Sequence, residues 1–567
     1  MVDVGKAMPQ PEGWSWKDRA RGSITTGVVL DPQADPIEPM RVFPTAYVPH
    51  RLLVSGVGDD GTASAVRLRD NVARIEAAAE SFGWGIERER LSGARVDPKD
   101  EDALDEPVVP GAAPVLRIEL TPSEAASTES PSLPDAWRVL QRIRREALGA
   151  DLRSLRGRDI AEVLRKAGVD RIGLDHIVSV DPIGVNPFTQ TNPFTQTNPY
   201  TKTNPYTKTN PYTKTNPVSE YGQPGCGGRE PVAWIGPAPR RSKVPAGRRR
   251  PVVAILDTGA GTHSWLPDDI VDRHVELDGR PLGLTDDANP EVYPDLYGPL
   301  DGEIDAVAGH GTFIAGIVRQ AAPDADLLAI RVANGLGIVT ESTLLQILED
   351  LAVLVFRHRS GQSGGRPVDV LSLSLSYYHE TPEDGLYSRH LHDLLTALRA
   401  MGTVVVASAG NDAIDRPSFP ASLWAWPGSD NGIQPDDYAA HLSVGALNPS
   451  RRSTALFSNV GPWVGTYATG AGIVSTMPEF LGGVQATARH DEYKLRRQTI
   501  DPDDYRGGFA VWSGTSFAAP LVAGRIAARL QPAVDGTGDR PTVAAAVTDE
   551  ISAAVTEALA EEELPTV

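Results

Sequence analysis

Residues 252–259 read Val-Val-Ala-Ile-Leu-Asp-Thr-Gly: five apolar residues, then a carboxylate at Asp257 and a turn glycine. An uninterrupted apolar run predicts a strand that is buried on both faces of a sheet. Similar runs recur at 327–332, 368–375, 403–407 and 442–444, with helical patterns between them at 311–321, 342–356, 391–400 and 516–530. This alternation predicts an α/β fold with a doubly wound parallel sheet over residues 251–535.

Two further segments stand where a helix is predicted to begin. Gly309-His310-Gly311-Thr312 precedes one helical pattern, and Ser513-Gly514-Thr515-Ser516 precedes another. A serine hydroxyl becomes a good nucleophile only beside a base, and a histidine that titrates near neutrality can take its proton. A buried aspartate fixes the tautomer of that histidine. Asp257, His310 and Ser516 are therefore candidates for nucleophilic catalysis.

In their order along the chain, Asp, His and Ser, these motifs resemble those of the subtilisin-like serine proteases (subtilases) over residues 251–532. The resemblance implies a subtilisin-like fold and a serine endopeptidase, a hydrolase that works through an acyl-enzyme. It implies Asp257, His310 and Ser516 as the catalytic triad. It also implies that Asn411, which ends the segment Ala407-Ser408-Ala409-Gly410-Asn411, donates to the oxyanion.

The family's substrate-binding strands are matched by Gly335-Leu336-Gly337-Ile338 and Ser374-Leu375-Ser376. An extended peptide is expected to pair between them as an added strand. Subtilases usually have glycine at the position of Ser376, so the pocket before the cleaved bond is expected to be narrower or more polar. Segment 478–510 is longer than is usual in the family and is expected to overhang the cleft. The expected substrate-binding residues are Gly335, Leu336, Gly337, Ser374, Leu375, Ser376, Ala409 and Gly410.

A small α+β domain is predicted at 41–185, with strand patterns at 114–120 and 169–180 and a helix that Asp135 caps. Val163–Val178 resembles the end of subtilase propeptides, in which a helix leads into a strand and then into the active site. The region is longer than such a propeptide. Two interpretations stay open: a domain that restrains the protease, or an unrelated domain that recruits substrate.

The remaining segments are predicted to be connecting or terminal. Residues 1–40 are expected to form a mobile arm. Residues 186–217 repeat Asn-Pro every six residues, which prevents helix and central strand and favours an extended spacer, with a recognition tract as the alternative. Residues 218–250 form a linker that ends in six cations, suggesting a cleavage site, a contact for an acidic partner or a domain boundary. Residues 536–567 are an acidic tail with a helix candidate at 540–563.

Composition excludes several classes of protein. The 567 residues carry a formal net charge of −20, which disfavours nucleic-acid binding. The single cysteine, Cys226, excludes a disulfide-stapled scaffold. Neither a signal peptide nor an apolar stretch of about 20 residues is apparent. A soluble cytoplasmic protein without a membrane partner is therefore expected, with export by another route left open.

No cofactor and no catalytic metal are expected. A calcium ion at Asp268, Asp269 and Asp272 is the less favoured alternative to a solvated acidic loop, because the spacing matches no EF-hand. Four histidines outside the motifs are expected at the surface or in the core: His263, His274, His379 and His441.

Two alternatives to a general endopeptidase remain. One is a maturation protease for a single peptide or partner. The other is a catalytically silent interaction protein, which is disfavoured because the three triad residues and Asn411 are all present.

Overall fold

A computed structural model gives the protein's fold in two domains. It describes residues 11–12, 27–38, 40–57, 62–93, 95–96, 107–122, 133–149, 157–180, 221–222, 227–233, 236–244, 246–297, 303–381, 387–429, 431–480, 488–490, 493–498, 500–501, 503–530 and 549–560. The Asn-Pro repeats at 186–217 and Cys226 lie outside the described residues, as does most of the predicted arm. We call residues 27–180 the N-terminal domain and residues 227–560 the C-terminal domain.

The N-terminal domain is an antiparallel sheet covered by helices. Its strands are β1 (Val28–Val29), β2 (Ala46–Ser55), β3 (Trp84–Arg90), β4 (Val115–Pro122) and β5 (Ile172–Ser179). Its helices are α1 (Ala65–Glu80), α2 (Ala136–Leu148) and α3 (Gly157–Lys166), with a short 3₁₀ turn at Val169–Arg171. The main strands lie in the order β5-β2-β4-β3, and β1 pairs with β2. From β2 to β5 this is the β-α-β-β-α-β arrangement of ferredoxin-like domains.

The predicted cap of α2 is present. Asp135 Oδ1 accepts a hydrogen bond from the backbone N–H of Trp137 at 3.0 Å and from the Tyr47 hydroxyl at 2.8 Å. The cap therefore also ties the helix to β2.

The expectation of a mobile arm is wrong for the described residues 27–38 and 40. Leu30, Ile37 and Met40 are buried in the core of the N-terminal domain. The Trp137 side chain donates to the carbonyl of Ala34 at 2.8 Å, so irregular backbone covers α2. The sequence pattern missed this because packing without regular structure leaves no periodicity.

The C-terminal domain is a three-layer α/β unit. Its short strands are β6 (Glu230–Pro231), β8 (Val271–Asp272), β9 (Glu276–Leu277), β10 (Arg280–Pro281), β12 (Ile338–Thr340), β17 (Ile473–Thr476), β18 (Ala488–His490), β19 (Arg496–Gln498) and β20 (Phe509–Trp512). Its other strands are β7 (Val252–Asp257), β11 (Asp326–Arg331), β13 (Val370–Leu373), β14 (Val404–Ser408), β15 (His441–Leu447) and β16 (Thr466–Thr469). Its helices are α4 (His310–Ala321), α5 (Glu341–Arg359), α6 (Arg389–Ala400), α7 (Thr515–Leu530) and α8 (Asp549–Ala560).

Seven strands form the predicted parallel sheet, in the order β16-β15-β14-β13-β7-β11-β8. Residues of α5 and α6 belong to the core on one face, and residues of α4, α7 and α8 to the core on the other. The doubly wound fold is thus confirmed. β11 lies on one side of β7 and β13 on the other, so the chain crosses β7 between these two strands. In such sheets, ligands bind beyond the carboxyl ends of the strands at this crossover. Asp257 ends β7 at that place.

The end of the predicted linker, residues 246–250, and helix α8 of the acidic tail are both part of the C-terminal domain and are not free connections. Arg249 makes two hydrogen bonds to Asp369, at 2.6 and 2.7 Å, and Arg250 pairs with Asp324 at 2.9 Å. These arginines of the basic cluster therefore face acids of their own chain. In the acidic tail, Ile551 is buried against the core of the domain. Among the described residues, no helix has both the length and the apolar character needed to cross a bilayer.

Candidate active site

The Asp257 and His310 side chains meet in a buried position. His310 Nδ1 lies 2.7 Å from Asp257 Oδ1. Asp257 Oδ1 also accepts from the backbone N–H of Thr258 at 2.8 Å. A carboxylate on Nδ1 leaves Nε2 of the imidazole as the nitrogen that can accept a proton.

Glycines allow the two segments to approach this closely. Gly309 has φ +78° directly before α4, a conformation that favours glycine, so the chain turns sharply into His310. A Cβ atom on Gly311 would lie 2.0 Å from the carbonyl oxygen of Gly259. Only glycine fits at position 311, which accounts for one glycine of the predicted motif.

Ser516 lies in the first turn of α7, directly before Phe517, whose ring contacts the histidine. The ring of His310 packs against Phe517, with centroids 5.2 Å apart, and edge-on against Trp512 at 5.5 Å. The carbonyl oxygen of Ser516 accepts a hydrogen bond from Ser374 Oγ at 3.0 Å. These contacts bring the third candidate residue and one predicted substrate-binding residue to the same site.

The Asn411 side chain is held in one orientation. Its Oδ1 accepts from the backbone N–H of Thr515 at 2.8 Å and from Thr515 Oγ1 at 2.9 Å. Because the carbonyl side of the amide is taken by Thr515, its Nδ2 faces the neighbourhood of Gly514, where a Cβ would lie 3.7 Å away. The amide hydrogens are thus directed next to the turn that carries Ser516.

A strand of the N-terminal domain lies between the two predicted substrate-binding segments. Ser179 and Ser376 exchange backbone hydrogen bonds of 2.9 and 2.8 Å, and the Val180 N–H donates to the carbonyl of Gly337 at 2.7 Å. β5 also pairs with β12 in antiparallel register, from Ile338 opposite Ser179 to Thr340 opposite Ile177. The place expected for a peptide is therefore filled by the chain's own strand.

The two domains also share a buried group of charges, which we call the interdomain cluster: Arg144, His176, Glu341 and Glu380. His176 Nδ1 lies 2.6 Å from Glu341, its Nε2 lies 2.9 Å from Glu380, and Arg144 pairs with Glu380 at 3.2 Å. Burial lowers the pKa of His176, but hydrogen bonds to both carboxylates outweigh burial and raise that pKa to about 9. Two positive and two negative charges then balance inside the interface.

A neighbouring contact caps α5 from the other domain. Asp175 accepts hydrogen bonds from the Ser342 backbone N–H at 2.9 Å and from its hydroxyl at 2.8 Å. Burial raises the pKa of this carboxyl to about 6.

Two groups of residues have the composition of metal ligands. His176, His379 and Glu380 offer ligand atoms within 4.8 Å of one another. The charges of the interdomain cluster are already paired, and burial lowers the pKa of His379 to about 4, so this group needs no ion to account for it. In the acidic loop, Asp268 pairs with Arg273 at 2.9 Å and Asp272 pairs with Arg366. These two carboxylates are therefore described by their ion pairs with arginine and not by a cage of oxygen ligands.

The other predicted residues have ordinary surroundings. His263, His379 and His441 are buried, and His274 is exposed. In segment 478–510, β18 and β19 form an antiparallel hairpin, and Tyr493 between them is 72% exposed.

Sequence reasoning missed several residues that position the site. Thr515, which orients Asn411, could have been found because it adjoins Ser516. Arg229 lies in the supposed linker, yet it donates to the carbonyls of Ile304, Asp305, Ala306 and Ala308, just before His310. Glu291 accepts hydrogen bonds from Thr258 and Thr312. No local pattern identifies Arg229 or Glu291, because each acts on residues distant in sequence.

The family profile and the similar curated proteins agree on the family of this chain. A profile of the subtilase family (peptidase S8) matches residues 248–560. The chain is 28% identical to an intracellular serine protease of Paenibacillus polymyxa, over 48% of this chain and 65% of that protein. It is 28% identical to the serine protease AprX of Bacillus subtilis (strain 168), over 50% of this chain and 60% of that protein. The matched segment thus spans less than two thirds of these relatives.

Among solved structures, fervidolysin from Fervidobacterium pennivorans, a keratinolytic enzyme related to subtilisin, is similar with a TM-score of 0.38 and 18% identity. That similarity covers 86% of this chain and 55% of fervidolysin. Since the family profile matches more than half of its residues, the chain belongs to the subtilase family.

Proposed function

We propose that the chain is a serine endopeptidase that hydrolyses peptide bonds with Asp257, His310 and Ser516. The observation that carries the proposal is the 2.7 Å contact between His310 Nδ1 and Asp257 Oδ1, beside the helix turn that carries Ser516. Family membership supports it.

In the proposed reaction, Ser516 Oγ attacks the carbonyl carbon of the peptide bond and His310 Nε2 takes its proton. Asp257 holds Nδ1–H and stabilises the imidazolium. The carbon–nitrogen bond breaks, and the leaving amine takes the proton from His310. A water molecule then attacks the acyl-enzyme by the same route and releases the acid. No step uses a metal ion or a cofactor.

The negative charge that develops on the carbonyl oxygen is assigned to two donors. One is the side-chain amide of Asn411, and the other is the backbone N–H of Ser516. Thr515 supports this assignment, because its two hydrogen bonds to the oxygen of the Asn411 amide fix the orientation of that side chain beside the turn that carries Ser516. Donors fixed in advance stabilise the transition state without reorganisation.

We infer that the substrate is an extended polypeptide and that the N-terminal domain competes with it. The support is the backbone pairing of Ser179 and Val180 with Ser376 and Gly337, which uses the donors and acceptors that an added strand needs. A tethered domain needs only weak affinity to stay docked, because its effective concentration is high.

The test is to incubate the purified full-length chain with a serine-directed fluorophosphonate and to follow the intact mass over time. We expect one adduct per chain that maps to Ser516, and none in a Ser516→Ala variant. The same spectra report any self-cleavage. An adduct on another serine, or hydrolysis by the Ser516→Ala protein, overturns the assignment.

A further inference from the structure

Glu291 is a buried carboxylate behind the Asp257–His310 pair. Its side chain is 2% exposed. One carboxylate oxygen accepts from Thr258 Oγ1 at 2.5 Å and from the backbone N–H of Gly311 at 3.0 Å. The other accepts from Thr312 Oγ1 at 2.5 Å and from the Thr312 N–H at 3.3 Å. Glu291 therefore contacts the residue after Asp257 and both residues after His310.

The hydrogen positions follow from the remaining partners. Thr258 Oγ1 accepts from the Gly311 N–H at 2.8 Å, and Thr312 Oγ1 accepts from the Gly261 N–H at 2.6 Å. The Thr312 hydroxyl thus directs its hydrogen to Glu291, and the Thr258 hydroxyl has two acceptors for its hydrogen, Glu291 at 2.5 Å and, farther away, Asp257 Oδ1 at 3.1 Å. The four hydrogen bonds of the carboxylate thus come from two hydroxyls and two backbone N–H groups, and this arrangement favours the ionised form. Burial, with a smaller effect of the Asp257 charge, raises the pKa of Glu291 overall, and the hydrogen bonds from the two threonines and from the Gly311 N–H limit the rise.

Several charged groups surround Glu291. They are Asp257 at the end of β7, His310 at the start of α4, Arg273 in the loop after β8, and Arg331 at the end of β11, whose guanidinium pairs with Asp286 at 3.0 Å. Arg273 also donates to four backbone carbonyls and to Asp268. Both arginines are engaged elsewhere, so neither forms a direct ion pair with Glu291.

We propose that Glu291 is a positioning residue for the reaction proposed above: it clamps the segments that carry Asp257 and His310 and supplies a second negative charge behind the imidazole. The clamp fixes the distance between the two side chains. The charge favours the imidazolium, the form in which His310 holds the proton of Ser516. Glu291 touches no reacting atom in this scheme.

The charge is tested by NMR titration of ¹³C-labelled histidine in the full-length Ser516→Ala chain, with His310 assigned from a His310→Gln variant. We expect Glu291→Gln to lower the titration midpoint of His310 by about one pH unit, as for a unit charge roughly 10 Å away at an effective dielectric constant of about 20. The matched control is Asp324→Asn, which removes an ionised carboxylate that pairs with Arg250 just before β11, at the edge of the sheet opposite to Asp257. An unchanged midpoint in Glu291→Gln overturns the electrostatic role. Because no hydrolysis is needed, this result is independent of the proposed activity.

The clamp is tested by Glu291→Asp, which keeps the charge but shortens the reach. We expect the His310 midpoint to stay within about 0.3 of the parent, while kcat in the Ser516-containing chain falls at least tenfold with KM little changed. Wild-type kcat in Glu291→Asp overturns the clamp. If Glu291→Gln does not fold, Glu291→Asp alone decides: tenfold loss at unchanged melting temperature supports the role, and full activity overturns it. If the parent chain hydrolyses no peptide, the proposed function is wrong, but the titration still tests the electrostatic role of Glu291.

Discussion

Ser179 of the N-terminal domain and Ser376 of the C-terminal domain exchange two backbone hydrogen bonds, at 2.9 and 2.8 Å. This is the pairing that a substrate strand would make. The domain that precedes the repeats therefore has its last strand between the two predicted substrate-binding segments, and under the proposed restraint access depends on its removal from there.

Ser179→Pro should open the cleft. Proline has no N–H, so the bond from Ser179 to the Ser376 carbonyl is lost and the strand pairing is weakened. We expect the fluorophosphonate to label Ser516 at least tenfold faster in this variant than in the parent chain. The matched control is Ser179→Ala, which keeps the N–H and should label at the parent rate. Equal rates for Ser179→Pro and Ser179→Ala would show that docking does not limit access.

Ser516→Ala should abolish hydrolysis of peptide substrates and leave the fold intact. The hydroxyl is the proposed nucleophile, and loss of one triad member leaves only about 10³–10⁴-fold acceleration over water. The measurement is hydrolysis of a fluorogenic peptide together with thermal unfolding. Hydrolysis at the parent rate with an unchanged melting temperature would contradict the mechanism.

Asn411→Ala should lower kcat by about 10²–10³ and change KM little, because its amide is assigned to charge that exists only in the transition state. Asn411 also accepts two hydrogen bonds from Thr515. Asn411→Asp keeps these acceptors and removes the donor, so it separates the two roles. An Asn411→Asp enzyme with parent kcat would exclude an oxyanion role.

Docking of the N-terminal domain should weaken as the pH rises from about 6.5 to about 9. The docked pKa of His176 is about 9, above the free value of about 6.5, so its contribution is complete below pH 6.5 and is lost as the pH passes 9. The measurement is the ratio of Ser516 labelling rates in Ser179→Pro and parent chains, which cancels the titration of the reaction itself. We expect the ratio to fall towards one at high pH. When both chains also carry His176→Gln, we expect no such fall.

Acid should weaken docking as well. In the docked state burial lowers the pKa values of His379 and His390 to about 4, so below pH 6.5 both gain protons only on release. Asp175 opposes this trend, because its docked pKa of about 6 makes it bind a proton on docking. Glu341 and Glu380, whose pKa values are lowered, contribute fully above pH 4.5. A labelling ratio that is flat between pH 5 and pH 9 would contradict the electrostatic account of the interface.

Chelation should leave turnover unchanged. Nothing in the proposed reaction uses a metal, and two of the three acids of the suggested calcium loop, Asp268 and Asp272, pair with arginines. The measurement is hydrolysis at low temperature before and after EDTA, with the melting temperature as control. Immediate loss of turnover with an intact fold would require a metal in the mechanism.

The parallel sheet and the approach of Asp257 to His310 followed from the sequence, because apolar runs and glycine-flanked motifs are local signals, and the role of Ser516 stays a prediction. Asp135 as the cap of α2 is another local feature that the structure confirms. The resemblance of Val163–Val178 to a propeptide end pointed to the cleft, but it did not indicate which residues would pair.

Other features depend on contacts between distant residues and carry no such signal. Glu291 lies in a loop that shows no sequence motif. Its role can be inferred only from its hydrogen bonds with Thr258 and Thr312, which are distant in sequence and are brought to it by the fold. His176 was not distinguished from the other histidines, because its two carboxylates belong to the other domain. Packing of residues 27–38 and 40 and of α8 likewise depends on contacts with residues that are distant in the sequence.

The sheet that joins β5 to β12 has a consequence for solubility. While the domains are docked, each of these strands covers the other's open hydrogen-bonding edge. Separation exposes two bare edges, and an unpaired edge is a template for strand pairing between molecules. A substrate strand that takes the place of β5 would cover β12 again, but the β5 edge of a released N-terminal domain would stay bare, and that domain would tend to aggregate.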